Sequence, residues 1–288
     1  MPTATGGGAD INGRLIAAEI SKQMGQQVVV DNRPGASNSI GFELIARAVP
    51  DGYTFGYAGF QFIMNPIMFA KLPYNTAKDF QPIVMQGLIP NLLAVTNSLQ
   101  VRSVKELVAY ARANPGKLST GHNGVGGSIY LSGELFKAMA KANIVQVPYK
   151  GIQQALTDLM GGQIQMIIDA VGSILPHVKA EKLRPLGVST LKRVSTIPDI
   201  PTIAEAGIPG YEMAASGGYV APAGVSREVV RRLNDEINKA LSSAAMIEKF
   251  NALGVTPVGG TPEQFAQHVR KETDKWAALV KSTGIKAE

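Results

Sequence analysis

The sequence predicts an α/β fold, on three observations. Short apolar segments typical of buried strands alternate with longer segments whose apolar residues recur at helical spacing. This alternation occurs in two runs, one within residues 10–58 and one within residues 92–189. Each run also places a glycine-rich loop directly before a predicted helix. Because strands that alternate with helices tend to pair in parallel, each run predicts a sheet flanked by helices, and 288 residues suffice for two such domains.

The first run predicts one βαβ unit. Apolar residues four and five apart predict a helix over residues 10–24, which Gly25 ends. Val28–Val30 is a short apolar segment that predicts a buried strand, and a second helix is expected over 40–48. The strand Tyr53–Ala58 follows, and we expect it to pair in parallel with Val28–Val30.

The second run begins after a looser stretch with several prolines, residues 59–90. Leu92–Thr96 predicts a strand, and Ser103 with Glu106 forms a capping box that opens the next helix. The run then predicts strand 117–121, helix 128–141, strand 144–147, helix 151–160, strand 163–169, helix 172–180 and strand 183–189. This order predicts a second sheet.

The C-terminal part predicts one strand and three helices. The strand covers residues 216–220, and Ser226 is expected to cap the first helix. Thr261 and Gln264 form a capping box, with proline at the first helical position, for the last helix.

No flexible linker separates the two runs, so we expect the chain to cross between two lobes as strands. The crossings are expected near residues 94–100 and 214–220, and together they would make a hinge. The predicted lobes are residues 1–98 plus 217–288 and residues 99–216.

Composition and charge exclude several classes of function. The chain has no cysteine, which excludes thiol nucleophiles and disulfides, and its three histidines lie too far apart for a histidine metal motif. The net charge of +6 is scattered, whereas nucleic-acid binders concentrate such charge in a patch. No stretch approaches the length of a membrane span, and no secretory leader pattern is visible. We identify no combination of residues typical of a catalytic site, and we expect no cofactor, metal or nucleic-acid partner.

Two glycine-rich loops are the candidate ligand-binding segments. Glycine lets the backbone approach a ligand closely, and a helix start presents unpaired N–H groups that favour an anion. Neither loop has dinucleotide-binding or P-loop spacing. Each can also be a simple tight turn, with Asp10 or Ser128 capping its helix. The candidate contacts are Thr5, Gly6, Gly7, Gly8, Ala9 and Asp10 in the first loop, and His122, Asn123, Gly124, Gly127 and Ser128 in the second.

Asp169 lies at the end of a predicted strand, where α/β folds bind ligands. It could accept a hydrogen bond from a ligand or cap the next helix. His122 could contact a ligand, although a loop histidine is more often solvated. His177 and His268 lie on predicted helices, and we expect both at the surface.

Short motifs in a fixed order extend from one end of the chain to the other. They include Gly6-Gly7-x-x-Asp10, Asn32-Arg33-Pro34-Gly35-Ala36, Pro50-Asp51-Gly52-Tyr53-Thr54, Asn114-Pro115-Gly116-Lys117-Leu118, Val147-Pro148-Tyr149-Lys150-Gly151, Pro198-Asp199-x-Pro201-Thr202 and Ala221-Pro222-Ala223-Gly224. In these motifs the chain resembles the substrate-binding receptors of tripartite tricarboxylate transporters, the Bordetella uptake gene family. Each motif alone is weak, but their shared order is specific.

The resemblance implies a two-lobed periplasmic binding protein of type II-like architecture, with two hinge crossings. It implies that one loop from each lobe grips a carboxylate in the cleft between them. The strand end at Asp169 and Ala170 would contact the ligand together with the second loop, and Gly59 and Phe60 would line the cleft. Family members also carry an export signal and a short apolar strand before the residue matching Pro2, and both are absent from this sequence.

Five positions depart from the family pattern. Thr5 replaces a usual alanine, Gly127 a common serine, Tyr130 a common histidine and Gln146 a usual histidine. Ser216 stands where many members carry a large aromatic residue, so the pocket there would admit a longer or aromatic acid.

The expected function is therefore that of a receptor, not of an enzyme. It would bind a small carboxylate, as a single copy, and deliver it to the permease subunits of a tripartite tricarboxylate transporter. Two alternatives stay open at this point: a ligand-sensing module for a membrane signalling partner, and an enzyme that acts on a small acid through Asp169 or His122.

Overall fold

Helices and strands alternate along the computed structural model, which describes residues 1–3, 5–6 and 8–285. In chain order the elements are α1 (Gly8–Met24), α2 (Ser39–Ala46), β1 (Gly56–Ala58), α3 (Phe60–Met68), β2 (Phe80–Thr96), α4 (Val104–Ala113), β3 (Leu118–His122), α5 (Ser128–Ala140), β4 (Ile144–Pro148), α6 (Ile152–Met160), β5 (Met166–Ala170), α7 (Val171–Lys179), β6 (Leu183–Val188), α8 (Ile203–Ala206), β7 (Ala214–Pro222), α9 (Arg227–Ser242), α10 (Ala244–Ala252), β8 (Thr256–Pro257) and α11 (Pro262–Thr283). The predicted α/β class is confirmed.

Three helices begin at the side chains that predicted them. The Ser103 hydroxyl accepts from the N–H of Glu106 at 3.2 Å, and the Ser226 hydroxyl accepts from the N–H of Val229 at 3.3 Å. Thr261 and Gln264 satisfy each other's backbone N–H groups, at 2.8 and 3.2 Å. These bonds supply acceptors for N–H groups of the first helical turn, which have no acceptor within the helix.

The chain folds into two compact units. Unit 1 comprises Met1–Leu88 and Ser216–Ser282, and unit 2 comprises Ile89–Ala215 with the chain end from Thr283. Both changes of unit fall inside strands, the first in β2 and the second in β7. The lobe boundaries predicted from the sequence stay a prediction.

In unit 1, an antiparallel pairing joins β1 to β7, with Gly56 opposite Val220. The first part of β2 pairs antiparallel with β8, with Gly87 opposite Pro257. Four aromatic rings form the centre of the core beside this sheet, in edge-to-face pairs with ring centroids 5.0–6.5 Å apart. They are Phe42, Phe62, Tyr74 and Phe80.

Val28–Val30 does not form the predicted strand, and the predicted βαβ unit is therefore wrong. β1, its expected parallel partner, is only three residues long and pairs with β7 instead. The side chain of Val29 is 76% exposed. An apolar run becomes a strand only where a neighbouring strand accepts its backbone hydrogen bonds. No described strand pairs with Val28–Val30.

In unit 2, five strands form a mixed sheet in the order β6-β2-β5-β3-β4. β3 runs parallel to both β4 and β5, whereas β2 is antiparallel to β5 and β6. The core on one face of this sheet packs α6 and α7 against β2 and β5. Because β3, β4 and β5 are parallel, their carboxyl ends lie at one edge of the sheet.

The longest described helix is α11, with 22 residues and a fully buried Trp276. Its charged residues distinguish it from a membrane span, and in the described part of the chain no helix is long and apolar enough to cross a bilayer.

Candidate functional site

Three helices of unit 2 begin at the same edge of the sheet. β3 ends at His122, β4 at Pro148 and β5 at Ala170. The helices that follow these strands, α5, α6 and α7, therefore start close to the shared carboxyl edge. Ligands of α/β proteins bind at this kind of edge, because helix N-termini converge there.

These three helix starts have no side-chain cap. The N-cap residues are Gly127, Gly151 and Ala170, and none of them offers a side chain that accepts a first-turn N–H. By contrast, Ser103 and Thr202 cap α4 and α8. The Ala170 N–H donates to Asp169 and the Gly127 N–H to the carbonyl of Gly124, but the first-turn N–H groups that follow have no side-chain cap. The partial positive charge of a helix start makes an anion the favoured acceptor for them.

Ser128 does not cap α5, so the capping interpretation of this residue is wrong. It is the first residue of the helix, one position after the N-cap Gly127. Its carbonyl oxygen accepts from the Ser132 hydroxyl at 2.7 Å. Asn123 and Gly124, earlier in the same loop, are exposed.

His122 is buried, with 3% of its surface exposed, so the interpretation as a solvated loop histidine is wrong. Its Nδ1 accepts from the N–H of Gly124 at 3.2 Å, and its ring packs edge-on against Tyr130 at 4.8 Å between centroids. Because Nδ1 accepts, the proton of the neutral ring is on Nε2 in this arrangement.

Asp169 is also buried, with 4% exposure, at the end of β5. Its Oδ1 accepts from the N–H of Ala170 at 2.7 Å, while α7 begins without a side-chain cap. Burial raises the pKa of this carboxyl to about 6, against the opposing effects of the Ala170 N–H and the Ser173 hydroxyl. The position at the strand end is as predicted, and the capping alternative is wrong.

The glycine loop of unit 1 is organised by Asp10, which is 2% exposed. Its Oδ2 accepts from Gly6 N–H at 2.9 Å and from Arg14 Nε at 3.0 Å, and its Oδ1 accepts from Asn32 at 2.9 Å. The Arg14 and Gly6 hydrogen bonds lower the pKa of Asp10 to about 2. The hydrogen bonds of Asp10 therefore fix the conformation of the loop.

The rest of this loop is more open. Thr5, Gly6 and Gly8 are exposed and Ala9 is half-buried. Gly6 has a φ of 81°, a conformation that favours glycine. The predicted contact at Gly7 lies outside the described residues.

The other candidates of unit 1 are buried. Gly59 is the N-cap of α3 and has no side-chain cap, and Phe60 packs edge-on against Trp276 at 5.7 Å. Ser216, 3% exposed, bonds to Nε2 of His268 at 2.8 Å. His268 and His177 are both half-buried, so each lies at the surface only in part, and His268 is bonded to Ser216.

The sequence interpretation missed Gly151 as a candidate. This glycine follows β4, which is parallel to β3, and it begins α6 without a side-chain cap. The signal was the strand–glycine–helix order at residues 144–152, which repeats the order at the loop after β3. In the described residues, no group of three or more acidic or histidine side chains could hold a metal ion.

A family comparison identifies the class of protein. Residues 13–285 match the model of the tripartite tricarboxylate transporter family receptor, TctC. The chain belongs to this family. Among curated TctC relatives, Protein BugT of Bordetella pertussis is 33% identical over 99% of this chain and 88% of its own length.

Solved structures agree with this assignment. The Rpa4515 protein of R. palustris, solved with adipate, is 39% identical, has a TM-score of 0.83, and is matched over 100% of this chain and 96% of its own. MatC of Rhodopseudomonas palustris, solved with bound malate, is 29% identical with a TM-score of 0.78, over 97% and 96% of the two chains. A third solved structure, that of the periplasmic binding protein BugD, is 30% identical with a TM-score of 0.79, over 100% of this chain and 97% of its own. The family consists of solute-binding receptors and not of enzymes, which confirms the receptor prediction.

Proposed function

We propose that this TctC receptor works in the periplasm, binds a small dicarboxylate or aromatic carboxylate, and delivers it as a single copy to the membrane subunits of a tripartite tricarboxylate transporter. Two observations support the ligand class. The family model describes a tricarboxylate transporter receptor, and the two solved relatives carry adipate and malate. Both of those ligands are carboxylates.

The observation that carries the proposal is the set of helix starts without side-chain caps at the carboxyl edge of unit 2. The backbone N–H of Gly151 and those of the first turns of α5, α6 and α7 would donate to ligand oxygens. Each hydrogen bond to a charged group contributes about 1.5–3 kcal/mol. A micromolar Kd corresponds to about 8 kcal/mol, so several such bonds, less the cost of ordering, reach it without a lysine or arginine.

In this proposal the glycine loop of unit 1 supplies a second set of contacts to the same ligand. The proposed contacts are Thr5, Gly6, Gly7, Gly8, Ala9, Asp10, Gly59, Phe60 and Ser216 in unit 1, and His122, Asn123, Gly124, Gly127, Ser128, Asp169 and Ala170 in unit 2. We add Gly151 to them. Asp10 would contribute by shaping the loop, because its oxygens already accept hydrogen bonds within it.

A comparison of acids with their amides tests the ligand class. Adipate, malate and benzoate are each added to the purified receptor beside the matching amide, and the melting temperature and the heat of binding are recorded. At least one acid should raise the melting temperature while its amide does not, because only the acid carries the charge that helix starts favour. Equal stabilisation by an acid and its amide would contradict the anion-binding mechanism.

A pair of glycine variants tests the location. A Cβ at Gly151 would meet no atom within 4 Å, so Gly151→Val adds bulk to open space at the proposed site. Gly161 lies at the opposite end of the same helix, and its nearest atom to an added Cβ is 3.5 Å away. We expect Gly151→Val to abolish carboxylate binding and Gly161→Val to leave it unchanged, with both variants folded. Binding by Gly151→Val at wild-type affinity would exclude this edge as the site.

A further inference from the structure

Asp169 combines burial with an unsatisfied oxygen. Its carboxyl group is 4% exposed and its Oδ1 accepts from the Ala170 N–H. Its Oδ2 is fully buried and accepts no hydrogen bond of good geometry from the described residues, and the Ser173 hydroxyl favours the ionised form without outweighing the effect of burial. A buried carboxylate oxygen without a donor is costly, whereas a protonated carboxyl group can itself donate.

The side chain lies on the face of the sheet that α6 and α7 cover. Ile167 packs in one core with Leu156 of α6 and Ile174 of α7. Side chains two residues apart on a strand share a face, so Asp169 is on the same face as Ile167. It lies two residues nearer the carboxyl end of β5. It is therefore placed where the uncapped starts of α6 and α7 lie.

No positive side chain of the described residues offsets a charge on Asp169. The titratable side chains on the elements packed against β5 are His122, Tyr130, Glu134, Lys137, Asp158, His177 and Lys179. Lys137 is bound to Glu134 at 2.6 Å, and Nδ1 of His122 faces the N–H of Gly124 at 3.2 Å. His177 and Lys179 are in the last turn of α7, and Lys179 is about 12 Å along the helix axis from its start.

We propose that Asp169 makes ligand binding proton-linked: it takes up one proton from solvent as a carboxylate binds, and it then donates a hydrogen bond within the complex. This inference rests on the proposed function, since the ligand must be an anion at this edge. Two carboxylates that share a site cannot both stay ionised without a cation between them. An ionised ligand accepts stronger hydrogen bonds from the helix N–H groups than a protonated ligand does. The proton therefore goes to Asp169.

The pKa of Asp169 in the free receptor also favours protonation of this residue. Burial already raises the pKa of Asp169 to about 6 without a ligand. A neighbouring anion raises the pKa further, so in the complex the carboxyl group stays protonated above neutral pH.

The test is calorimetric titration of the full receptor with adipate and with malate between pH 6.5 and 8.5, where the carboxyl groups of both ligands are ionised. Titrations in triethanolamine and in Tris, two cationic buffers that differ in ionisation enthalpy and do not compete for an anion site, count the protons exchanged. We expect uptake of close to one proton at pH 8 and a Kd that weakens about tenfold per pH unit above the pKa of the free receptor.

Two variants assign the proton to its residue. Asp169→Asn has a side chain that stays neutral at every pH, so its Kd should lose the pH dependence between pH 6.5 and 8.5 and its binding should take up no proton. Asp158→Asn is the matched control, because Asp158 is a carboxylate of α6 that already bonds to Tyr149 at 2.8 Å. It should keep the full pH dependence.

The outcomes separate the two proposals. Binding without proton uptake in the wild type, or an unchanged pH slope in Asp169→Asn, would overturn the proton linkage and leave the proposed function in place. Absence of binding by every carboxylate at every pH would overturn both. The proton count on the wild type decides the matter even if a variant fails to fold.

Discussion

Asn32 donates a hydrogen bond from Nδ2 to Oδ1 of Asp10 at 2.9 Å. The same amide donates to the carbonyl oxygen of Thr3 at 3.0 Å. Together with the bonds of Asp10 to Gly6 and Arg14, this contact fastens the first turn of α1 and its glycine loop to a segment 22 residues later. The shape of the loop therefore depends on a residue far from it in sequence.

Replacement of Asp10 by asparagine should lower the free energy of unfolding by about 2–3 kcal/mol, because hydrogen bonds to a buried charge are lost. Urea denaturation measures the change. Asp31→Asn is the control, since Asp31 and Arg33 form an ion pair at 3.0 Å between exposed side chains. Exposed pairs contribute about 0–1 kcal/mol. Equal losses in both variants would contradict the role given to Asp10.

Asp10 should also make the receptor sensitive to acid. Its pKa is about 2 in the folded protein and about 3.9 in an unfolded chain. Because the folded state holds this carboxyl ionised, its stabilisation is complete above the unfolded pKa and is lost as the pH falls toward 2. Urea titrations at pH 5, 4 and 3 should show the wild type losing more stability than Asp10→Asn. Parallel losses would show that other groups govern acid unfolding.

A buried polar chain in unit 2 should contribute to its stability. Asn91 donates to the Ser132 hydroxyl at 2.8 Å, and Ser132 donates to the carbonyl of Ser128 at 2.7 Å. Asn91 and Ser132 are at most 3% exposed. Asn91→Ala should therefore cost about 1–3 kcal/mol by leaving buried polar atoms unpaired. Asn97→Ala, at an exposed asparagine bonded to the carbonyl of Glu181, is the control and should cost less in the same denaturation experiment.

Gly218 should not accept even one methyl group. A Cβ there would lie 2.4 Å from the carbonyl oxygen of Val84 and 2.5 Å from the ring of Phe265. Since β2 and α11 leave no space, Gly218→Ala should destabilise the protein by about 3 kcal/mol, seen as a lower melting temperature. Gly161→Ala, where the nearest atom is 3.5 Å away, should melt close to the wild type. A Gly218→Ala protein as stable as the wild type would show that the backbone there can move apart.

Local chemistry made much of the fold predictable. Ser103, Ser226 and Thr261 cap the helices that they were expected to cap, because a hydroxyl that accepts from the N–H three residues later needs no distant partner. The strand end at Asp169 was predictable for a similar reason, since the alternation of strand and helix locates it. The family motifs then supplied the architecture that local patterns alone do not give.

Distant contacts explain what the sequence did not predict. Val28–Val30 has the composition of a strand, but no described strand pairs with it. His122 follows glycine and precedes a polar loop, yet Tyr130 and the Gly124 N–H surround its ring. Ser128 missed the capping position by one residue, because the path of the preceding loop places Gly127 there. None of these neighbours can be inferred from spacing.

The discontinuity of unit 1 gives its core contacts a long separation along the chain. Unit 2 lies almost entirely in one stretch, Ile89–Ala215. In unit 1, by contrast, helix α1 packs against α9, and Phe60 packs against Trp276. The apolar face of α1 at Ile16 and Ile20 is therefore covered by residues roughly two hundred positions later, and because contacts so distant in sequence form slowly, unit 1 should refold more slowly than unit 2.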